Sequence, residues 1–153
     1  MNRSKAFLMA LLALALHAQG AFVSTEQAGR AALGWARSGY AKNLNIGTSV
    51  EKVSTFKLAD DVSFYAVKMN GGGTVFMSSD TESEPVVAYT TETNDYSRMS
   101  KRSPMWALLT RDATVRANIR KLRAANAVSA DRTRSTLSAA KQSSNAVRWA
   151  KLM

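Results

Sequence analysis

Apolar and polar residues alternate along this chain with a period that changes from helix to strand and back to helix. Near the start, Ala28, Ala32, Trp35, Ala36 and Tyr40 recur at three- and four-residue spacing, which predicts a helix over residues 25–38. Ser24 followed by Gln27 has the spacing of a capping box at its N-terminus. Gly34 inside the helix is unfavourable unless a neighbouring element packs close there, and Gly39 suits the helix end. The period then shortens to two. Segments 49–58, 63–69, 74–79 and 85–91 are rich in β-branched and aromatic residues and are bounded by turn residues. Their short gaps permit hairpins, whereas parallel strands would need long crossovers, so an antiparallel meander is expected. In the second strand Tyr65, Val67 and Met69 share one face while Phe64, Ala66 and Lys68 share the other, leaving one face to bury against helices.

Ser103 and Pro104 form a helix start, with an N-cap hydroxyl before a first-turn proline. Met105, Leu108, Leu109, Val115, Ile119 and Leu122 then trace a stripe over residues 104–125, with Arg111, Arg116, Arg120, Lys121 and Arg123 mainly off it. The stripe reads as the face that packs on the sheet. The fold class expected is therefore α+β: a small antiparallel sheet of about four strands against an N-terminal helix and a C-terminal amphipathic helix. Beyond Asn126 the sequence is Ala/Ser-rich and basic with sparse large apolar residues. Weak helicity or disorder is expected there, with the segment around Trp149 as the one part able to dock.

The first twenty residues stand apart from this pattern. Arg3 and Lys5 precede an uncharged run of eleven, residues 6–16, and Ala18 and Gly20 sit at the −3 and −1 positions of a cleavage site. That is the layout of a secretory signal peptide, and the run is about half the roughly 20 residues a membrane-spanning helix needs. The organisation expected is a signal peptide at 1–20, a folded domain at 21–125 and a tail at 126–153, in a protein exported to the extracellular or periplasmic space.

Composition then narrows the chemistry. The 153 residues contain no cysteine, and the single histidine, His17, lies in the segment expected to be removed. Neither Cys–His nor Ser–His catalysis is available to the remaining chain, and the usual zinc ligands are missing. The carboxylates are scattered without an EF-hand pattern, so no metal, no cofactor and no enzymatic activity are expected. Charge is distributed unevenly. Residues 21–97 hold six Lys/Arg against nine Asp/Glu, a net of −3, while residues 98–153 hold thirteen against two, a net of +11.

Asn70, Gly71, Gly72 and Gly73 could suggest a phosphate loop. Such a loop runs from a strand into a helix, whereas these glycines lead into the β-rich run 74–79 with no Lys-Ser or Lys-Thr following. They read as a hairpin turn.

Phe64–Tyr65, the run from Gly72 to Phe76, Ser78–Ser79–Asp80, Pro85 and the strand from Val86 to Thr90, with a helix on either side, resemble the prodomain of streptopain-type cysteine peptidases. The resemblance covers residues 22–125. In such zymogens the prodomain precedes a Cys/His catalytic domain and blocks its cleft, and free-standing relatives inhibit the cognate peptidase. The resemblance implies a secreted inhibitor whose partner is a streptopain-type catalytic domain, acting by non-covalent occlusion. It also implies that the segment before the last helix faces the cleft: Asn94, Asp95, Tyr96, Ser97, Arg98, Met99, Ser103 and Pro104. Family members often carry asparagine just before this helix, and Ser103 stands there instead.

The alternatives are an anionic-surface binder using the basic half, and an orphaned prodomain or intramolecular chaperone. The scarcity of interleaved aromatics disfavours nucleic acid and ranks the surface binder below the inhibitor, with a membrane surface left open as a partner of the basic tail. The unbound chain is expected to be a monomer. Deleting residues 126–153 is expected to cripple a surface binder yet leave an inhibitor largely intact.

Overall fold

The computed structural model describes residues 22–59, 62–129 and 136–153. The signal-peptide segment 1–20, its cleavage site and His17 lie outside the described residues, as do Asp60 and Asp61 and the stretch 130–135. The elements, in chain order, are α1 (Thr25–Ala36), β1 (Ser49–Ala59), β2 (Val62–Asn70), β3 (Thr74–Ser78), β4 (Val86–Thr90), a 3₁₀ turn (Tyr96–Arg98), α2 (Pro104–Ser129) and α3 (Thr136–Leu152). The fold is a small α+β fold built on a four-stranded antiparallel sheet.

α1 begins with the capping box its sequence carries. The Gln27 amide donates to Ser24 Oγ at 3.1 Å, and the Ser24 amide donates to Gln27 Oε1 at 2.8 Å. The helix ends at Ala36, with Arg37 as a right-handed C-cap, so Gly39 lies beyond the end it was expected to form.

The sheet is a meander in the order β1-β2-β3-β4. β2 and β3 pair Phe64 with Ser78 and Val67 with Val75, and β3 sets Phe76 opposite Ala88 of β4. Gly71, Gly72 and Gly73 make the β2–β3 turn with φ of 89°, 127° and 83°. Any side chain there would be forced into the left-handed region. The Met69 amide closes the turn by donating to Gly73 O at 3.0 Å.

Both faces of the sheet are buried, one more than the single helix-covered face expected from sequence. Tyr65, Val67, Met69, Val75 and Met77 pack with Ala28, Ala31, Ala32 and Ala36 of α1. On the other side Phe64, Ala66 and Phe76 pack with Leu109, Ala113 and Ala117 of α2. The reason lies in the central strands: both alternate sets of β2 are apolar from Phe64 to Val67, and every residue of β3 is buried. The alanine faces of the helices permit close approach, while phenylalanine and methionine on the sheet supply the volume.

The same packing corrects the reading of α2. Of the stripe expected to meet the sheet, Leu109 is buried and Met105 is half-buried, but Leu108, Val115, Ile119 and Leu122 are exposed. The sheet-facing side is made by Trp106, Leu109, Ala113 and Ala117 instead. The large residues beyond Leu109 outlined the wrong face: Trp106 and Leu109 meet the aromatic sheet surface at the start of the helix, and Ala113 and Ala117 continue that contact.

α2 also runs on to Ser129 with no break at residue 125, and the tail contributes to the core. In α3, Trp149 is 1 % exposed and joins the cluster formed with α1. Its indole N–H donates to Ser83 O at 3.0 Å, and Asn145 Nδ2 donates to Glu82 O at 2.6 Å. Arg148 pairs with Glu84 at the surface. The tail's last turns thus fasten onto the β3–β4 turn and onto α1.

Gly34 is the residue that lets this happen. A Cβ at Gly34 would lie 2.1 Å from the carbonyl oxygen of Leu152, whereas one at Gly39 would meet nothing within 4 Å. Alanine normally favours a helix over glycine. Gly34→Ala is nonetheless expected to destabilise the protein by about 1–3 kcal/mol through overpacking, read as a lowered urea midpoint. Gly39→Ala should leave that midpoint near the parent value.

Candidate inhibitory loop between β4 and α2

Residues 91–103 connect the last strand to α2 and form an exposed loop held from within. The Glu92 amide donates to Thr90 Oγ1 at 3.1 Å. The Glu92 carboxylate then accepts from Asn94 Nδ2 at 2.6 Å and from the Tyr96 hydroxyl at 3.0 Å. Asp95 caps the 3₁₀ turn, its Oδ1 accepting from the Ser97 amide at 2.8 Å. That hydrogen bond holds the Asp95 carboxyl below the usual aspartate range, with nearby Lys52 and Lys68 adding to the effect. Farther on, the Arg102 amide donates to Ser100 Oγ at 3.2 Å, and the Ser103 amide donates to Ser100 O at 3.0 Å.

Two side chains seat the loop on the sheet. The Tyr96 ring meets Phe76 edge-on at 5.5 Å and 79°, and Met99 packs against the same cluster. Ser103 is occupied as the N-cap of α2, where its Oγ accepts from the Trp106 amide at 3.1 Å, and Pro104 is the first residue of that helix. The eight loop residues singled out from sequence therefore divide by role. Tyr96, Met99, Ser103 and Pro104 position the loop; Asn94, Asp95 and Arg98 are exposed on its outside; Ser97 is intermediate. Beside them on the sheet, Lys68 donates to Glu51 at 2.8 Å, which together with Asp95 raises the lysine's affinity for its proton. The outer surface is polar and of mixed sign, with no large apolar residue at its tip.

A second polar grouping, at the opposite end of β3, was not anticipated from sequence. Asp80 is 6 % exposed. Its Oδ1 accepts from the Glu82 amide at 2.9 Å and its Oδ2 from the Ser83 hydroxyl at 3.3 Å, with Arg120 at 3.8 Å. These bonds shape the β3–β4 turn that receives Trp149. The adjoining cavity, lined by Ser63, Ser79, Asp112 and Arg116 among others, is about 20 Å³, room for one water. It is too small for an organic substrate. Among the described residues, no group of three or more His, Cys, Asp or Glu side chains could hold a metal ion. Also among the described residues, no helix is long and apolar enough to cross a membrane.

Comparison with known proteins adds no assignment: no family model, no curated protein and no solved structure matches this chain.

Proposed function

We propose that this protein is a secreted, prodomain-like inhibitor of a streptopain-type cysteine peptidase that occludes the catalytic cleft without covalent chemistry. The observation that supports this reading most is the construction of the β4–α2 loop. The segment that resembles the cleft-facing part of the prodomain is exposed on its outer side, while Tyr96, Met99 and Ser103 tie its inner side to the sheet and α2. An occluding segment needs this combination. Ordering the loop before binding removes a conformational cost from association. The Gly71–Gly73 turn and the four-strand meander also fit the order of elements on which the resemblance rests. The run 6–16 behind Arg3 and Lys5 supports export.

The test is hydrolysis of a peptide substrate by a streptopain-type peptidase from the same source, titrated with the chain that starts at Ala21. Dose-dependent inhibition is expected. Arg98→Glu should raise the inhibition constant at least tenfold while leaving thermal unfolding unchanged, because that side chain is exposed and takes no part in the hydrogen bonds that hold the loop. No inhibition by the parent chain, or equal inhibition by the variant, overturns the proposal.

The anionic-surface alternative draws on the positive charge of residues 98–153. Part of that charge is matched internally, Arg116 by Asp112 at 2.5 Å and Arg148 by Glu84. Deleting residues 126–153 does not separate the two readings, since it removes Trp149 from the core.

A further inference from the structure

The exposed side of α2 has a pattern that folding does not use. Leu108 is 57 % exposed, Val115 49 %, Ile119 41 % and Leu122 64 %. At about 100° per residue, these four lie within roughly 60° of one another around the helix, and their centre is about 150° from that of Leu109, Ala113 and Ala117. From Met105 onward the spacing alternates three and four: Met105, Leu108, Asp112, Val115, Ile119, Leu122. This is the repeat of a helix-pairing seam, with Asp112 as its polar interruption. Exposed apolar residues arranged in a continuous row mark an interaction surface far better than the same residues scattered.

Width and charge identify the occupant. A helix that buries itself in a lipid interface presents a broad apolar face with anchoring aromatics, whereas this stripe is narrow, is interrupted by Asp112 and holds no aromatic residue. Narrow stripes of this kind fit a single partner helix. The flanking positions are Arg111 on one side and Arg116 and Arg123 on the other; Arg116 holds the seam's Asp112 at 2.5 Å, so the flank charge left for a partner is that of Arg111 and Arg123. Two copies of α2 laid together would bring these arginines against one another in either orientation, so self-pairing is opposed by like charge. A helix flanked by Asp and Glu would be attracted instead.

We propose that the outer face of α2 is a docking site for an acidic amphipathic helix of a partner protein, which seats apolar residues along Leu108, Val115, Ile119 and Leu122 between the arginine flanks. This goes beyond the peptidase reading, and no peptidase enters its test.

The probe is a fluorescently labelled helical peptide of about 25 residues with Ile and Leu at three–four spacing and Glu at the flanking positions. A matched peptide carrying Lys in place of Glu is the control. Fluorescence anisotropy with the chain from Ala21 should show saturable binding of the acidic peptide, at least tenfold tighter than the basic one. Ile119→Asp with Leu122→Asp should weaken that binding at least tenfold while circular dichroism and the melting midpoint stay at parent values. The proposal is overturned by equal binding of the two peptides, by no binding, or by binding that the double variant leaves unchanged. It is also overturned if the chain binds phosphatidylglycerol vesicles and neither peptide, or sediments as a dimer that the double variant dissociates.

Discussion

Replacing Trp149 with alanine is expected to lower the unfolding free energy by about 3–5 kcal/mol, the usual cost of emptying a buried tryptophan site. The indole is 1 % exposed and belongs to the core cluster that also holds Ala28, Ala31 and Ala32 of α1 and Val75 and Met77 of the sheet. Truncation also leaves the carbonyl of Ser83 without the donor it has now at 3.0 Å, adding an unsatisfied polar group to the cavity. Since whole domains are stable by only about 5–15 kcal/mol, the variant should sit near the edge of folding. Urea unfolding followed by circular dichroism measures this. Trp149→Phe, which keeps most of the volume but not the N–H, should recover more than half of the loss. Arg148→Ala, which removes an exposed ion pair with Glu84, should cost under about 1 kcal/mol. If Trp149→Ala unfolds at the parent midpoint, α3 is not part of the core.

Phe76→Ala is the second large effect, again about 3–5 kcal/mol for a fully buried aromatic, and it has a consequence at the candidate site. Phe76 is 0 % exposed at the centre of the cluster formed with α2, and its ring is also the floor under Tyr96. An edge-to-face pair of this kind contributes about 0.5–1.5 kcal/mol beyond burial. Phe76→Leu should keep the fold at a smaller cost and still release Tyr96. Hydrogen exchange should then quicken at Ser97 and Met99, whose amides bond to Asp95 Oδ1 and Tyr96 O, while amides of β1 and β2 remain protected. Unchanged exchange at Ser97 and Met99 would show that the loop is ordered by its own hydrogen bonds alone.

Much of this fold is legible from sequence because local rules and tertiary packing agree. Ser24 and Gln27 form the capping box that their spacing indicates. The glycine triplet between β-rich runs turns out to be a turn with positive φ throughout. The strands fall within a residue or two of their alternating segments. What fails is the assignment of faces. Periodicity reports where large apolar residues recur, but after Trp106 and Leu109 the contact with the sheet continues through small ones. Ala113 and Ala117 therefore meet the sheet while Leu108 and Leu122 face water. In α3 the signal is weak for a related reason: one large residue, Trp149, does most of the docking, and its partner surface is a helix of alanines and a glycine. Gly34 was the clue, since a mid-helix glycine is costly unless something approaches closely. At the loop, the sequence identifies the segment but not the division between residues that seat it and residues that face outward. That division depends on the Tyr96–Phe76 contact and the Ser103 cap, which are contacts in space.

The occlusion reading also makes a physical demand that inhibition alone does not. If the β4–α2 loop covers the cleft, small reagents must be kept from the catalytic thiolate as well as substrates. The most direct measurement is the rate at which iodoacetamide alkylates the catalytic cysteine of a streptopain-type peptidase, followed by intact mass as the chain from Ala21 is added. The account predicts a saturable fall in that rate, with the chain recovered at its full mass. An alkylation rate independent of the added chain, or recovery of the chain cleaved within residues 91–103, would contradict it.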